Sequence, residues 1–455
     1  MKFQSLLAAF AANVLAGCAL APSTQPEEID AEAVMEDATS GLANVEVVES
    51  PGGVTAWLVS EPSIPIIAVN AAWRGGSASD PEGLEGAANL MAYMMNEGAA
   101  DLDSRAFGAR MEELNMAFGC SVSADWTSCT LRTLSANADD AFDMMRSGLT
   151  ETRFDDEPMA RAVREKLVQL KQSETSPRAI ARRKMNAALY PDHPYAREET
   201  PESVSAATRE DLIERRDVLM ARDRLLVVVV GDITAYDLAL KLDDVFGALP
   251  ATSDVVEIPE AVLNMAPATP IVAPLPQPQT LISFSAPGPK RADEDFVPAY
   301  VLNYILGGGG FSSRLMDEIR EKRGLTYGIG TSLRGSAHLG LWGGRTQTKN
   351  ESVQELIDIA KAEIARLRAE GPSDKELADA KAYLTGAYPL GFDTNSKIAG
   401  QLMYVRQNDL GLDYVATRND LIDAVTREDL MAVADKYLDP EAFTFVLVGE
   451  PKGFE

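Results

Sequence analysis

The stretch that decides the fold is YILGGGGFSSRLMDEIREKRGLTYGIG, residues 304–330. Its four consecutive glycines, 307–310, would each lose much backbone entropy in a regular helix or strand, so they predict a mobile loop between two helices. The next segment has the apolar spacing of a helix, which Ser312 or Ser313 can cap with a side-chain oxygen. Gly324 ends that helix, and a short strand follows.

Arg320 and Tyr327 lie on either side of the predicted turn from helix to strand. Because the chain folds back there, the two side chains can project into one cleft. A guanidinium beside a phenol is suited to holding a peptide carbonyl or a developing oxyanion. The alternative is a surface arginine and a core tyrosine, and the spacing alone favours that alternative.

The pattern SSRL…REKRGLTYG, in which six residues separate Arg320 from Tyr327, resembles a motif of the pitrilysin/insulinase family of zinc metallopeptidases. That family includes the mitochondrial processing peptidases, and its Arg/Tyr pair helps to bind substrate next to the zinc. The resemblance covers roughly residues 45–450. It implies a substrate-binding role for the pair and a duplicated α+β architecture, with mainly antiparallel sheets and packed helices. The mobile glycines that can close over a bound peptide are Gly307, Gly308, Gly309 and Gly310.

The same order of elements occurs twice, on either side of a proline-rich segment. Thr208-Arg-Glu-Asp recurs as Thr426-Arg-Glu-Asp, and apolar strands ending at Asp232 and Glu450 follow at the same separation. Strands followed by long helices predict antiparallel-rich sheets with helices packed on one side. The predicted parts are an N-terminal unit at residues 45–250, a linker at residues 251–279 and a C-terminal unit at residues 280–455.

Only the second unit carries the polar pair. When the two units are aligned, Met111 corresponds to Arg320 and Phe118 to Tyr327. Since the first unit does without these polar groups, the asymmetry favours a functional role for the pair.

The chain has 455 residues, of which 46% are apolar and 24% charged, as in an ordinary globular protein. Its formal net charge of −27 repels phosphate, and the sequence contains no basic patch or nucleic-acid motif. Basic or neutral peptides are therefore the expected clients, and a role in solubility alone is the alternative. The glycine run is not a phosphate-binding loop, because Gly-Lys-Ser/Thr does not follow it.

In active members of the resembled family, the helix that we predict over residues 80–97, with Asp80 as its N-cap, carries His-x-x-Glu-His. The two histidines bind zinc from one helical face, and the glutamate activates the water. This chain has Asn89 and Tyr93 at the histidine positions and Ala92 at the glutamate position. The resemblance thus places a degenerate metal motif in the first unit.

The distal glutamate ligand of the family falls near Gln169 or Leu170, about one turn from Glu165. The two histidines of the chain, His193 and His338, lie far apart in sequence, so they predict no replacement zinc site. A site made of carboxylates alone lacks the ligand set of a zinc hydrolase. Its candidate members are Glu85, Glu97, Asp101 and Asp103.

The resemblance implies no catalytic residue, metal or cofactor in this chain, with zinc expected in a partner. The first hypothesis is a zinc-free subunit of a heteromeric peptidase, which supplies Arg320 and Tyr327 to a paralogous zinc-bearing chain that hydrolyses the peptide substrate. The second is a non-enzymatic peptide-binding or scaffold lipoprotein with the peptidase fold. An autonomous peptidase is the least favoured hypothesis.

The N-terminus reads MKFQSLLAAFAANVLAGC, with a lysine and an apolar run that is too short to span a bilayer. Residues 1–17 are therefore predicted to be a signal peptide. Leu15-Ala-Gly-Cys18 resembles a bacterial lipobox, whose cysteine becomes the lipid-modified first residue; an ordinary signal peptide is the alternative. Residues 18–44 predict a flexible acidic tether. The expected location is the periplasm of a Gram-negative bacterium, anchored to its outer membrane.

Cys120 and Cys129 face each other directly if the predicted strand pair turns at Ala124-Asp125. Opposed positions on antiparallel strands come close to disulfide distances, and export places the thiols in an oxidising compartment. The sequence therefore predicts a cross-strand disulfide, with two buried free thiols as the alternative.

We predict that Cys18 is acylated and holds the protein on a membrane, because two or more acyl chains anchor a protein stably. Mass spectrometry of the mature N-terminus, together with membrane fractionation, checks this. The matched variant Cys18→Ser is expected in the soluble fraction. A soluble wild-type product that begins at another residue would contradict the prediction.

Overall fold

This computed structural model describes residues 45–454, so the predicted signal peptide, Cys18 and the predicted tether lie outside the described residues. The strands are β1 (Glu46–Glu49), β2 (Thr55–Ser60), β3 (Ile66–Arg74), β4 (Gly98–Ala99), β5 (Leu102–Asp103), β6 (Ala117–Val122), β7 (Trp126–Leu134), β8 (Leu225–Gly231), β9 (Ile271–Pro274), β10 (Gln279–Pro287), β11 (Ile329–Gly335), β12 (Gly340–Lys349) and β13 (Thr444–Gly449). The α-helices are α1 (Ala87–Met94), α2 (Ser104–Glu113), α3 (Ala138–Thr150), α4 (Asp156–Glu174), α5 (Pro177–Leu189), α6 (Pro201–Ala206), α7 (Arg209–Leu219), α8 (Ala235–Phe246), α9 (Phe296–Asn303), α10 (Val353–Glu370), α11 (Asp374–Gly386), α12 (Asn395–Gln407), α13 (Tyr414–Asp423) and α14 (Arg427–Tyr437).

Two large sheets repeat one topology. The first has the order β1-β2-β8-β3-β7-β6, and the second has the order β9-β13-β10-β12-β11, which matches the first without β1. In each sheet one pair is parallel, β2 with β8 and β9 with β13, and the other pairs are antiparallel. The predicted α+β fold of two tandem units with mainly antiparallel sheets is confirmed.

The repeated Thr-x-x-Asp motif has the same structural role in both units. The side chain of Thr208 accepts a hydrogen bond from the N–H of Asp211, whose carboxylate accepts one from the N–H of Thr208. Thr426 and Asp429 form the same capping box at the start of α14. Each box satisfies two N–H groups that a helix start leaves unpaired, which fixes where α7 and α14 begin.

Helices cover both faces of each sheet, not one face as predicted. Besides the helices of its own unit, the first sheet is packed by α12 of the second unit, and the second sheet is packed by α5 of the first unit. The apolar side chains of the first of these contacts include Ala68, Val228, Val230, Ala399, Leu402 and Met403. Those of the second include Ala181, Met185, Leu189, Leu281, Val446 and Val448. The two units are therefore joined by an exchange of helices.

The predicted linker at residues 251–279 is also part of this packing. Its segment β9 forms the edge strand beside β13, and Val255 is buried in the core of the first unit. Val255 attaches one end of the proline-rich segment to the first unit, and β9 attaches the other end to the second unit.

The glycine tract is not the mobile loop that we predicted. α9 continues as a π-helical turn, Tyr304–Gly308, and a 3₁₀ turn, Gly310–Ser312, follows. A Cβ atom on Gly307 would lie 2.6 Å from Thr331 Oγ1 on β11. Because glycine has no side chain, the helical turn can pack closely on the strand. Backbone entropy alone does not reveal this requirement for space.

The helix after the glycines also differs in its start. A π-helical turn, Met316–Glu321, follows the tract, and no side chain caps it. The hydroxyl of Ser313 instead donates a hydrogen bond of 2.7 Å to the carbonyl of Gly310, so it stabilises the preceding 3₁₀ turn.

Cys120 on β6 lies directly opposite Cys129 on β7, and the structure joins them in a disulfide. The strand pair turns at Ala124-Asp125, where the N–H of Ser123 donates to the carbonyl of Trp126 at 2.8 Å. Among the helices that the structure describes, none is long and apolar enough to cross a membrane.

We predict that Gly307→Ala lowers the free energy of unfolding by about 1–3 kcal/mol, because the new methyl overpacks the contact with β11. Gly108→Ala in α2 is the matched control. No atom lies within 4 Å of the Cβ position there, so alanine is expected to stabilise the helix by up to about 1 kcal/mol. Urea unfolding measures both. Equal stability of the two variants would restore the flexible-loop interpretation.

Candidate functional site

The helix that carries the degenerate metal motif is shorter than predicted. α1 begins at Ala87 because Gly83 and Gly86 have φ angles of +83° and +100°, which a helix cannot contain. Asp80 still caps it from a distance, since its carboxylate accepts hydrogen bonds from the N–H groups of Gly86 at 2.9 Å and Ala88 at 3.2 Å. Burial raises the pKa of Asp80 to about 6, against the effect of these hydrogen bonds.

Hydrogen bonds to carboxylates hold both side chains at the former histidine positions. The amide Nδ2 of Asn89 donates to Glu199 Oε1 at 2.9 Å, and the hydroxyl of Tyr93 donates to Glu165 Oε2 at 3.0 Å. Ala92, at the position of the catalytic glutamate, is buried and offers no proton acceptor. The zinc ligands and the base of the family motif are thus replaced by a closed polar network.

Two of the nearby carboxylates already have cationic partners. Glu199 pairs with Lys166 at 2.6 Å, and Glu97 pairs with Arg161 at 2.6 Å. Partial burial, and then the hydrogen bond to Glu165, raises the pKa of the Tyr93 phenol, so the phenol keeps its proton. A protonated phenol and an amide nitrogen do not coordinate Zn²⁺, so these residues do not fit the metal of the family.

The other candidate ligands are also explained by local structure. The ring of His193 is buried, and its Nε2 lies 2.8 Å from the carbonyl of Pro259. Nδ1 of His338 lies 3.4 Å from Glu260. Asp103 caps α2 by accepting from the N–H of Ala106 at 2.8 Å. Across residues 45–454, no group of three or more His, Cys, Asp or Glu side chains could hold a metal ion.

A cavity of about 600 Å³ opens from the degenerate motif into the space between the two units; we call it the motif cavity. Asn89, Gln169 and Leu170 line it from the first unit. Arg334 and Leu341 line it from the second unit. The motif cavity therefore brings Asn89 together with the two candidate positions of the distal ligand. Tyr93, which is not among the lining residues, is hydrogen-bonded to Glu165.

Two further cavities continue this space. A central cavity of about 710 Å³ shares Arg182 and Arg334 with the motif cavity. It shares Arg178 and Arg345 with a tyrosine cavity of about 260 Å³, which Tyr327 lines. Because adjacent cavities have lining residues in common, they form one groove, which we call the arginine groove. Four arginines line its central cavity, Arg178, Arg182, Arg334 and Arg345, and Arg197 lines the motif cavity.

Sequence reasoning missed these arginines because they lie on three separate elements. Arg178 and Arg182 belong to α5, Arg334 to β11 and Arg345 to β12. The available signal was an arginine among small residues in each strand, in GTSLRG and GGRTQT. This signal does not show what the arginines face until α5 is known to pack on the second sheet.

The two residues of the predicted pair have different surroundings. The guanidinium of Arg320 stacks on Phe311, 4.3 Å from the ring centroid, and lies 3.1 Å from Glu321. Tyr327 is 89% exposed and lines the tyrosine cavity, which Arg320 does not line. That the two side chains share one cleft remains a prediction. None of the four tract glycines lines any of the three cavities.

The duplicated sheets, the exchanged helices and the degenerate motif define a peptidase-type fold without the metal ligands of the active enzymes. The family model described as insulinase (peptidase family M16) matches residues 58–200, and the model described as peptidase M16 inactive domain matches residues 206–384. The chain belongs to the insulinase family, as a member that lacks the His-x-x-Glu-His motif.

Bacterial relatives span nearly the whole described chain. A Helicobacter pylori protein named non-peptidase homolog YmxG is 24% identical over 392 residues, which cover 86% of this chain and 90% of that protein. A Bacillus subtilis protein named uncharacterized zinc protease YmxG is 23% identical, with coverage of 84% and 92%. The crystal structure of a peptidase M16 inactive domain from Pseudomonas fluorescens has a TM-score of 0.83 at 27% identity, covering 89% of this chain and 98% of that chain.

We predict that the purified chain retains no stoichiometric zinc after incubation with zinc and desalting, and cleaves no peptide by itself. The reason is that Asn89, Ala92 and Tyr93 replace the ligands and the base. Elemental analysis and a peptide-cleavage assay measure this, with a zinc-bearing relative as the positive control. One zinc per chain together with chelator-sensitive cleavage would contradict it.

Proposed function

We propose that this chain is the zinc-free, non-catalytic subunit of a two-chain peptidase of the bacterial envelope. A paralogous chain with an intact metal motif hydrolyses the substrate, and this chain supplies peptide-binding surface. The observation that carries the proposal is the state of the motif helix. Asn89 is hydrogen-bonded to Glu199, and Tyr93 is hydrogen-bonded to Glu165. The side chains at the zinc-ligand positions of the family motif therefore already have partners within this chain.

The name of the Helicobacter pylori relative, non-peptidase homolog, agrees with a non-catalytic role. The inactive-domain structure from Pseudomonas fluorescens agrees with it as well. Loss of hydrolysis alone does not remove the cleft, because the cavities between the units persist. A fold that keeps a peptide-sized cleft but not the metal is suited to holding substrate for another chain.

The Arg/Tyr pair is accessible for such a role. Tyr327 is 89% exposed, and Arg320, which stacks on Phe311, has 30% of its side chain exposed. Their counterparts Met111 and Phe118 pack against the core of the first unit. The second unit therefore presents at its surface what the first unit uses for packing, and a zinc that these groups could serve must come from another molecule.

The envelope location rests on the N-terminal sequence, whose lipobox-like segment ends at Cys18. A lipid anchor on a tether would hold the subunit near exported peptides and near a partner in the same compartment.

A second function is favoured by one observation. Arg320 stacks on Phe311 and is not among the residues that line the tyrosine cavity with Tyr327. That separation favours a peptide-binding or scaffold protein without any part in hydrolysis, and the experiment below distinguishes the two.

The partner is first identified by purification of the native complex and mass spectrometry. We then predict that Arg320→Ala and Tyr327→Phe leave the complex intact and lower kcat about 10²–10³-fold, the typical loss when one donor to a developing oxyanion is removed. The matched controls are Arg105→Ala and Tyr236→Phe, which change exposed side chains elsewhere on the first unit.

Complex formation is measured by analytical ultracentrifugation, and turnover is measured with a fluorogenic peptide. Unchanged turnover in both variants would leave the scaffold function. Absence of any zinc-bearing partner in the native complex would overturn the proposal itself.

A further inference from the structure

We propose that the arginine groove binds acidic segments of extended peptides. This deepens the proposed function, because it rests on the chain binding peptide and names the chemical class of that peptide. It differs from what the overall charge indicates, since a net charge of −27 favours basic or neutral clients. We expect the charge of the groove, and not the net charge of the chain, to determine which peptides bind, because screening at physiological ionic strength limits the reach of distant surface charges to about 8 Å.

The central part of the groove is basic, although the chain as a whole is acidic. The carboxylates that line the groove, Glu85, Glu198 and Glu199, lie in the motif cavity, which Lys166 and Arg197 also line. The chain has 69 acidic and 42 basic residues, yet four arginines and no carboxylate line the central cavity. An electropositive cleft in an acidic protein focuses the local potential on a bound segment.

Three of the four arginines of the central cavity lack a side-chain partner. Arg178, Arg334 and Arg345 are exposed, and in the described residues they form no hydrogen bond or ion pair with another side chain. Arg182 has one contact, to Glu198 at 3.5 Å. Elsewhere the guanidiniums of this protein are commonly paired, as Arg314 is with Glu376 at 2.6 Å. The groove therefore holds the unpaired donors to which a carboxylate can bind in a bidentate manner.

The helix wall of the groove carries two of these charges. Arg178 and Arg182 are four residues apart on α5 and lie on one helical face. Like charges at this spacing repel each other, and no carboxylate lines the central cavity that both residues share. A bound anionic group would remove that repulsion.

The floor of the groove consists of strands with small residues. Arg345 lies opposite Gly330 on β11 and Ser283 on β10, so no bulky neighbour covers its guanidinium. The remaining small floor residues of the central cavity are Ser285, Ser332, Gly343 and Gly344. The result is a trough with charged edges, which fits an extended chain.

A peptide suits this surface better than a nucleic acid does. Single-stranded nucleic acids are held by bases stacked on exposed aromatic side chains. The exposed Tyr327 lies in the tyrosine cavity at one end of the groove, and in the central cavity the one aromatic residue is Phe284, which is 1% exposed. A long polyanion would also meet the acidic surface outside the groove, whereas a short acidic segment would not.

The test uses the full chain without a partner, and fluorescence anisotropy of three short labelled peptides: alternating Glu-Ser, Gln-Ser and Lys-Ser. We expect the Glu-Ser peptide to bind and its affinity to fall as salt is raised, while the other two do not bind detectably. Arg345→Ala and Arg334→Ala should each weaken Glu-Ser binding about three- to tenfold, as expected for the loss of one charged contact.

Arg105→Ala is the matched control, because Arg105 is an exposed arginine that lines none of the three cavities. Its affinity should equal that of the wild type. Arg345→Gln keeps most of the aliphatic stem and replaces the alanine variant if thermal unfolding shows that the latter is destabilised.

Three results would overturn the inference: preferential binding of the Lys-Ser or Gln-Ser peptide, Glu-Ser binding that neither groove variant weakens, or tighter binding of a single-stranded oligonucleotide of equal charge. Because no partner and no turnover enter this assay, its failure is distinct from a failure of the proposed pairing with a zinc-bearing chain.

Discussion

The exchange of helices between the two units is the constraint on which the rest of the structure depends. α12 packs its apolar face on the first sheet and hydrogen-bonds to it, with Asn395 Nδ2 donating to the carbonyl of Ile66 at 3.0 Å and Arg406 donating to that of Val227 at 2.6 Å. Burial lowers the pKa of Arg406 to about 10. Since α5 packs in the same way on the second sheet, the units cannot separate without exposing two apolar interfaces. The groove between them is therefore a fixed feature of the fold.

The fold tolerates the loss of the metal motif because each carboxylate around Asn89 and Tyr93 has an ion-pair or hydrogen-bond partner. A buried or half-buried carboxylate without a metal would otherwise carry a desolvation cost. Here Lys166 neutralises Glu199 and Arg161 neutralises Glu97, while Asn89 and Tyr93 complete the hydrogen bonds. The first unit has thus replaced a catalytic arrangement with a structural one of similar polarity.

Much of the fold was predictable from letters alone, because local rules and global topology agree. The repeated Thr-x-x-Asp boxes mark equivalent helix starts, and the opposed cysteines follow from the turn at Ala124-Asp125. The glycine tract was wrongly predicted to be a mobile loop. Glycines that make room for a close contact look the same in a sequence as glycines that make a loop flexible. Gly307 lies against Thr331 of β11, a contact that only the tertiary structure defines. The arginine groove was missed for a similar reason, since α5 and β12 meet only through the helix exchange.

The second unit carries two sets of polar residues, the groove arginines Arg334 and Arg345 and the Arg320/Tyr327 pair. The fold requires neither set. An exposed, unpaired arginine such as Arg345 contributes little to the stability of the native state, and Tyr327 has most of its surface in solvent. Buried residues such as Trp342 on the same strand carry the stability of the sheet. A strand that alternates a core side chain with an unpaired cation is fixed on one face and free for binding on the other.

The second sheet joins the two kinds of site, because β11 and β12 extend from the turn that holds Tyr327 to the wall of the motif cavity. A peptide that followed these strands would contact the groove arginines first, and it would reach the exposed tyrosine without meeting a catalytic group of this chain.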